Sequence, residues 1–267
     1  MRIPDSHMHT NFSPDADKAA TFEAYIEKAE RSGVKRLMFT DHVDLNTTVA
    51  LFQMIPDYTA YRSTLKRLQP STDVELCMGV EIGYQPELHQ AYDTFLSNHP
   101  FDFVIMSLHT GDGLDFHNGD FFIGKTQNEA YRRYFELVKD AVKRYDNYDV
   151  FGHIDYIIRY GDYATRDYDF ETFRPIIDAI LTIIIEKGRG IELNTSGLRY
   201  GLGHTHPKFE LVKRYKELGG TIITLGSDAH SVKDYRAGFE EGLELLREAG
   251  FTHVTVFKNR TPEFIEI

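Results

Sequence analysis

Short apolar, β-branched runs alternate with longer stretches of helical period along the chain, and this alternation restricts the fold more than any other feature. The runs are 3–8, 34–40, 74–82, 101–108, 148–154, 190–194 and 221–226, with 251–257 trailing. Between them, apolar residues recur at helical spacing over 21–32, 56–68, 86–97, 128–145, 170–187, 207–218 and 232–249. The punctuation agrees: Pro86 and Pro207 sit where a first helical turn accepts proline, and Gly33, Gly188 and Gly219 sit where a helix stops. Such alternation implies parallel strands joined by right-handed crossovers, in a closed barrel or an open doubly wound sheet. The number of units favours the barrel. No Gly/Ser-rich or Pro-rich linker, internal repeat or low-complexity segment divides the sequence, so residues 1–267 are expected to form a single domain.

Composition narrows the partners. A hydrophobic fraction of 42% is enough to fill a core and argues against disorder. The 30 Lys+Arg against 41 Asp+Glu leave a net charge of −11, and no basic block resembles the phosphate-neutralising stripe that binds nucleic acid. A small anionic substrate is compatible with that charge, because bound metal ions reverse the local field of an acidic protein. The longest apolar run, 179–185, falls far short of the roughly 20 residues needed to span a membrane. The N-terminus has no apolar signal-peptide core, so no membrane partner is expected. With Cys77 as the single cysteine, no internal disulfide can form, which fits a reducing compartment and a cytoplasmic location. No strand leads into a Gly-rich dinucleotide turn, so no nucleotide cofactor is expected. The 12 histidines are left to be explained.

Their placement is the informative part. His7 and His9 close the first run, Asp41 and His42 the second, Glu81 the third and His109 the fourth. His153 closes the fifth, Glu192 and Asn194 the sixth, and Asp228 and His230 the seventh. In a β/α barrel all C-terminal strand ends open on one face, where such folds build their sites, so these distant residues would converge on one cup. His7 and His9 are two apart, as are Asp228 and His230, and side chains at that spacing on an extended strand point the same way. Asp15 lies in a Ser-Pro-Asp loop that can fold back over the same mouth. A lone histidine at a strand end is usually structural, but ligand-type side chains at every strand end in turn are not accounted for that way. Two members have other roles open to them: Asp41 can cap a helix or support a ligand, and Glu192 can orient a ligand by hydrogen bonding. His89, His99 and His253 read as structural or exposed. His117, His204 and His206 lie in loops after ligand-bearing strands, where they could line the mouth.

The segments His7-Met8-His9-Thr10, Thr40-Asp41-His42, Gly79-Val80-Glu81, Ser107-Leu108-His109-Thr110, Gly152-His153-Ile154-Asp155 and Gly226-Ser227-Asp228-Ala229-His230 resemble, in order, the motifs of the polymerase and histidinol phosphatase (PHP) superfamily. The resemblance covers nearly the whole chain. Ser13-Pro14-Asp15, the run 153–160 and the stretch 192–199 are similar to the stand-alone histidinol-phosphate phosphatases within it. The resemblance implies an α/β fold, a distorted (βα)7 TIM-like barrel of PHP type, holding two or three divalent ions (zinc, manganese or iron). Carried over by position, His7, His9, Glu81 and Asp228 would hold the first ion, and Glu81 would bridge to a second held by His109 and His153. Asp15, His42 and His230 would hold the third. Asp15 departs from superfamily members that carry histidine there, and its harder carboxylate donor should widen the third site's tolerance to manganese or iron.

The resemblance also implies hydrolysis of L-histidinol phosphate to L-histidinol and phosphate, in histidine biosynthesis. Alternatives on the same cluster are a phosphodiesterase or a protein-tyrosine phosphatase and, from a different class, a non-catalytic metal-binding scaffold. Metal ions suit a monoester because they acidify water and neutralise the phosphoryl oxygens. Arg159 and Arg199, in the loops after the fifth and sixth strands, are the candidates for phosphate contacts, since a guanidinium matches two phosphate oxygens at once. Proton delivery to the leaving alkoxide falls to Asp228, His230 or a bound water.

Overall fold

A computed structural model describes residues 2–45 and 50–267. Its strands are β1 (Arg36–Phe39), β2 (His42–Val43), β3 (Glu75–Gly83), β4 (Phe103–Ser107), β5 (Thr110–Gly111), β6 (Leu114–Asp115), β7 (Val150–Phe151), β8 (Gly190–Asn194), β9 (Ile223–Gly226), β10 (His253–Lys258) and β11 (Thr261–Glu266). The helices are α1 (Phe22–Ser32), α2 (Tyr58–Leu68), α3 (His89–Ser97), α4 (Gln127–Arg144), α5 (Phe170–Glu186), α6 (Ser196–Arg199), α7 (Phe209–Glu217) and α8 (Phe239–Glu248). Local chemistry sets their ends. Thr21 caps α1 by accepting the Ala24 N–H, and Gly33 stops it at a left-handed φ of 73°. Thr126 and Glu129 cap α4 reciprocally.

The main sheet is parallel and runs β1-β3-β4-β7-β8-β9, with β2 also pairing with β3. Strand order follows chain order with no reversal, which excludes the doubly wound alternative and gives a curled, half-barrel sheet. Helices cover it: α4 packs on α5 and α5 on α7. Among the described residues no helix is long and apolar enough to cross a membrane.

The segment expected as a first strand over 3–8 is extended, but among the described residues its only bridge is Met8 to Ala229. It nevertheless touches both outer strands of the sheet. Ser6 N–H donates to the Leu225 carbonyl (3.0 Å), Asp228 N–H to His7 (2.8 Å) and His9 N–H to Ala229 (2.8 Å) on one side, while Thr40 N–H donates to Met8 (2.9 Å) on the other. A regular ladder is interrupted because the buried Asp5 carboxylate accepts the N–H groups of His7, Ser227 and Arg236 and the Ser227 hydroxyl. β7 is shorter than the expected 148–154. The chain leaves the strand at Gly152 and His153, the latter at a φ of 23°, which turns its ring inward.

Two hairpins were not expected, although the trailing run 251–257 anticipated β10, one strand of the second. β5 and β6 form one beside the site, and β10 and β11 form the other at the C-terminus, joined by Asn259 and Arg260 with φ of 48° and 61°. Two consecutive left-handed residues are what a two-residue hairpin turn requires. This second hairpin plugs the sheet at the end away from the strand tips. Phe257 stacks on Phe103 with ring centroids 4.9 Å apart, in a cluster with Met38, Cys77, Ile105 and Val150.

Removing that plug should destabilise the fold without touching the site. Phe257→Ala is expected to cost about 3–5 kcal/mol, measured by denaturant unfolding, with metal uptake per folded chain unchanged. A loss of metal uptake in the folded variant would contradict this separation.

Candidate metal centre

The strand tips gather the expected residues around one buried carboxylate. Glu81, at the end of β3, is fully buried. Its Oε2 lies 3.1 Å from His7 Nε2, 3.6 Å from His9 Nε2 and 3.0 Å from His42 Nδ1. Its Oε1 lies 2.9 Å from His153 Nε2 and 3.4 Å from His109 Nε2 and accepts the Ser107 hydroxyl at 2.7 Å. Asp228 Oδ1 stands 3.7, 3.4 and 3.5 Å from nitrogens of His7, His9 and His230. Asp15 reaches back as its loop suggested, with Oδ2 2.9 Å from His230 Nε2 and 3.6 Å from His42 Nε2. Every residue of the expected ligand set is therefore in one place.

Glycine makes this density possible. A Cβ on Gly226 would collide with Glu192 Oε1 and with His7 Cβ, and one on Gly83 would collide with the Asp44 carboxylate.

Second contacts fix which ring nitrogen faces inward. His7 Nδ1 lies 2.6 Å from Glu192 Oε1, so it keeps a proton of its own and, once a metal displaces the proton shared with Glu81, His7 Nε2 presents a lone pair. The Ser13 hydroxyl donates to Asp41, so at 3.2 Å it accepts from His9 Nδ1, and His9 Nε2 is also a lone pair. These two Nε2 atoms face one another at 3.1 Å. The same logic applies elsewhere. His109 Nδ1 donates to Asp44 (2.7 Å) and aims Nε2 at a Glu81 oxygen, and His230 Nδ1 donates to the Asp228 carbonyl (3.0 Å) and aims Nε2 at Asp15. Acceptor facing acceptor in a buried site calls for a cation between them, a proton or a metal ion, and imidazole with carboxylate is a donor set that divalent metals take. Among the described residues three overlapping triplets have donor atoms within 4.8 Å of one another: His7-His9-Glu81, His42-Glu81-His109 and His9-His42-His230.

Electrostatics point the same way. Burial opposes charge on His7, but Glu192, Glu81 and Asp228 outweigh it and hold the imidazole well above its ordinary value. His42 is raised against burial by Glu81 and Asp15, and His109 is pushed up to about 10 by Asp44 and Glu81. His9 goes the other way, lowered by burial and by the imidazoles of His230 and His42. Burial resists ionisation of Glu81, Asp15 and Asp228, yet the surrounding imidazoles hold all three below the carboxylate range. In the metal-free chain, protons occupy places that cations would take.

The other candidates divide. Asp41 is a support: it accepts both Thr10 N–H and hydroxyl, both Ser13 N–H and hydroxyl, and the Tyr61 hydroxyl, fixing the loop that carries Asp15. Arg159 lines the cavity, of about 340 Å³, together with Phe52, Asp115, His117, Tyr156 and Tyr160. Arg199 is occupied elsewhere, its guanidinium donating to the carbonyls of Ser227 (2.7 Å) and Asp228 (2.9 Å). It thereby braces Asp228, which sits at a left-handed φ of 53°. Of the loop histidines, His117 is at the mouth. His206 is buried against Asp155 at 2.7 Å, and His204 bonds the Thr205 carbonyl. His89, His99 and His253 lie outside the cluster, beside Asp93, Phe101 and Thr252 respectively. Sequence reasoning missed Asp44, which orients His109; its place two residues after His42 was the available signal.

A family model described as PHP domain matches residues 5–196. A histidinol-phosphatase of Lactococcus lactis subsp. lactis is 30% identical over 266 residues, covering 96% of this chain and 95% of the relative. A probable histidinol-phosphatase of Clostridium acetobutylicum is 28% identical, covering 94% and 95%. The solved structure of histidinol phosphate phosphatase from Lactococcus lactis, complexed with zinc, L-histidinol and phosphate, superposes with a TM-score of 0.90 at 28% identity, over 98% of both chains.

Because the metal-free cluster holds protons on its raised imidazoles, metal uptake should release them. Calorimetric titration of stripped protein with zinc or manganese, in buffers of different ionisation enthalpy, is expected to show roughly one proton or more released per ion between about pH 6 and 8. Affinity should fall as pH falls, since acid refills the imidazoles. Uptake without proton release would contradict the assigned ligands.

Proposed function

The chain belongs to the PHP domain family, and from that premise we propose that it is a metal-dependent phosphate monoester hydrolase acting on L-histidinol phosphate to give L-histidinol and phosphate. The observation that carries the reading is Glu81, a buried carboxylate with imidazoles on both oxygens, below a cavity into which Arg159 faces. We assign two or three divalent ions to it. His7, His9, Glu81 and Asp228 would hold one ion, Glu81, His109 and His153 a second, and Asp15, His42 and His230 a third. Zinc suits the imidazole-rich donors, and the Asp15 carboxylate also admits manganese or iron. The N-terminal segment, hydrogen-bonded to β9 and to Thr40 just past β1, supports its role as the first strand of a distorted (βα)7 barrel. One hydrophobic cluster containing both Ile3 and Val254 supports a single domain.

Bound there, the ions would acidify water and neutralise the phosphoryl oxygens for in-line displacement. The chain's own residues do the rest. Arg159 meets the phosphate dianion with a planar pair of donors, its guanidinium held over the rings of Tyr200 (4.1 Å) and Tyr156 (4.8 Å). Arg199 acts one step back, holding the backbone that presents Asp228. Asp228, ionised and on the cavity wall beside His230, is placed to take a proton from the attacking water and relay it to the departing alkoxide. Asp115 accepts the Asn118 N–H through one oxygen and offers the other to the substrate's ammonium, with Phe52 and His117 as flat surfaces for its imidazole.

Metal-loaded protein should release phosphate from L-histidinol phosphate with a kcat/KM at least about tenfold above nucleotides, a phosphodiester or a phosphotyrosine peptide. A preference for any of those would replace the substrate reading. His109→Ala should lower turnover by about two decades or more while the chain stays folded. Retained turnover would contradict the cluster assignment.

A further inference from the structure

A buried chain of polar side chains leads from the phosphate-facing arginine to the ligand histidines, and Ser196 is its pivot. Arg159 Nη2 donates to Ser196 Oγ at 2.6 Å. That hydroxyl in turn donates to Asn194 Oδ1 at 2.5 Å, with Asp228 Oδ2 as a second acceptor at 3.3 Å. Asn194 is itself held: its Oδ1 accepts the Ser196 N–H (2.9 Å) and its Nδ2 donates to Glu192 Oε2 (3.2 Å). Glu192 closes the path, accepting the His153 N–H through Oε2 (2.9 Å) and His7 Nδ1 through Oε1 (2.6 Å). Ser196, Asn194 and Glu192 are all fully buried, so no solvent competes for these bonds.

The distance that matters is the one not closed. Arg159 Nη2 stops 3.6 Å from Asp228 Oδ2, beyond hydrogen-bond length, although the two groups carry opposite charges in a dry site. A direct charge-assisted pair would be the default. Ser196 offers that same nitrogen a nearer acceptor, so the guanidinium is held off the carboxylate. Both partners then remain available, Arg159 to an incoming phosphate and Asp228 to the cations and the proton.

We infer that Ser196 is a positioning residue: its hydroxyl separates Arg159 from Asp228 and holds the guanidinium in the pose that takes the substrate's phosphate. This rests on the phosphomonoesterase reading of the site. Without the hydroxyl, Arg159 closes on Asp228, and phosphate must break that pair in order to bind.

The test uses inorganic phosphate as the probe, so it does not depend on which ester is the substrate. Metal-loaded wild type, Ser196→Ala, Arg159→Met and the double variant are compared for phosphate affinity by calorimetry, for KM and kcat on L-histidinol phosphate, and for metal per chain. Ser196→Ala is expected to weaken phosphate binding and raise KM about tenfold, with metal content unchanged, as suits loss of a bond to a charged group. In the Arg159→Met background the same substitution should change phosphate affinity less than about twofold, because Ser196 acts through Arg159. Equal losses in both backgrounds, no loss in either, or a fall in metal content would each overturn the proposal. If wild type binds phosphate but leaves L-histidinol phosphate intact, the substrate reading fails while the pivot is still judged by the affinity cycle.

Discussion

Everything in this site depends on keeping one carboxylate, Glu81, charged where water cannot reach it. An isolated carboxylate at zero exposure would be protonated, because desolvation penalises the charged form heavily. Glu81 is held in its ionised form by imidazoles on both oxygens, with the Ser107 hydroxyl adding a further donor. The imidazoles are held in turn: His7 by Glu192, His109 by Asp44 and His9 by Ser13. The cluster is therefore a shell of oriented ring nitrogens about a fixed charge, sharing protons that metal cations would displace, a design that discourages any neutral filling.

The fold serves that constraint. Parallel strands in chain order bring every tip to one face, and glycines at Gly83 and Gly226 let the side chains crowd there. The N-terminal segment belongs to the sheet by function more than by regularity. Its hydrogen bonds reach both outer strands, while Asp5 spends a buried carboxylate on tying His7 to the Ser227 turn. The C-terminal hairpin secures the far end, so stability and chemistry occupy opposite ends of the same sheet.

Much of this was legible in the sequence because it repeats. The alternation of period places α1, α4, α5 and β8 within a residue or so, and the strand-end rule alone brings His7, Glu81, His153 and Asp228 together. What escaped had no period. The β5–β6 hairpin is two residues to a strand, too short to register, and the β10–β11 turn uses Arg260 in a left-handed conformation that its side chain does not advertise. Arg199 illustrates a different limit: residue type and loop position suit phosphate, and only the geometry shows the guanidinium spent on carbonyls. Supporting residues such as Asp44, Asp41 and Ser196 act through other side chains, and the partners His109, Tyr61 and Arg159 lie 65, 20 and 37 residues away in sequence.

The central claim is that Glu81 sits between cations held by these imidazoles. Anomalous diffraction from crystals soaked in zinc or manganese tests it most directly. The account predicts at least two peaks with Glu81 ligating more than one of them, and His109 and His153 on one side of it from His7 and His9. Peaks elsewhere on the molecule, or a single ion that leaves Glu81 uncoordinated, would contradict it.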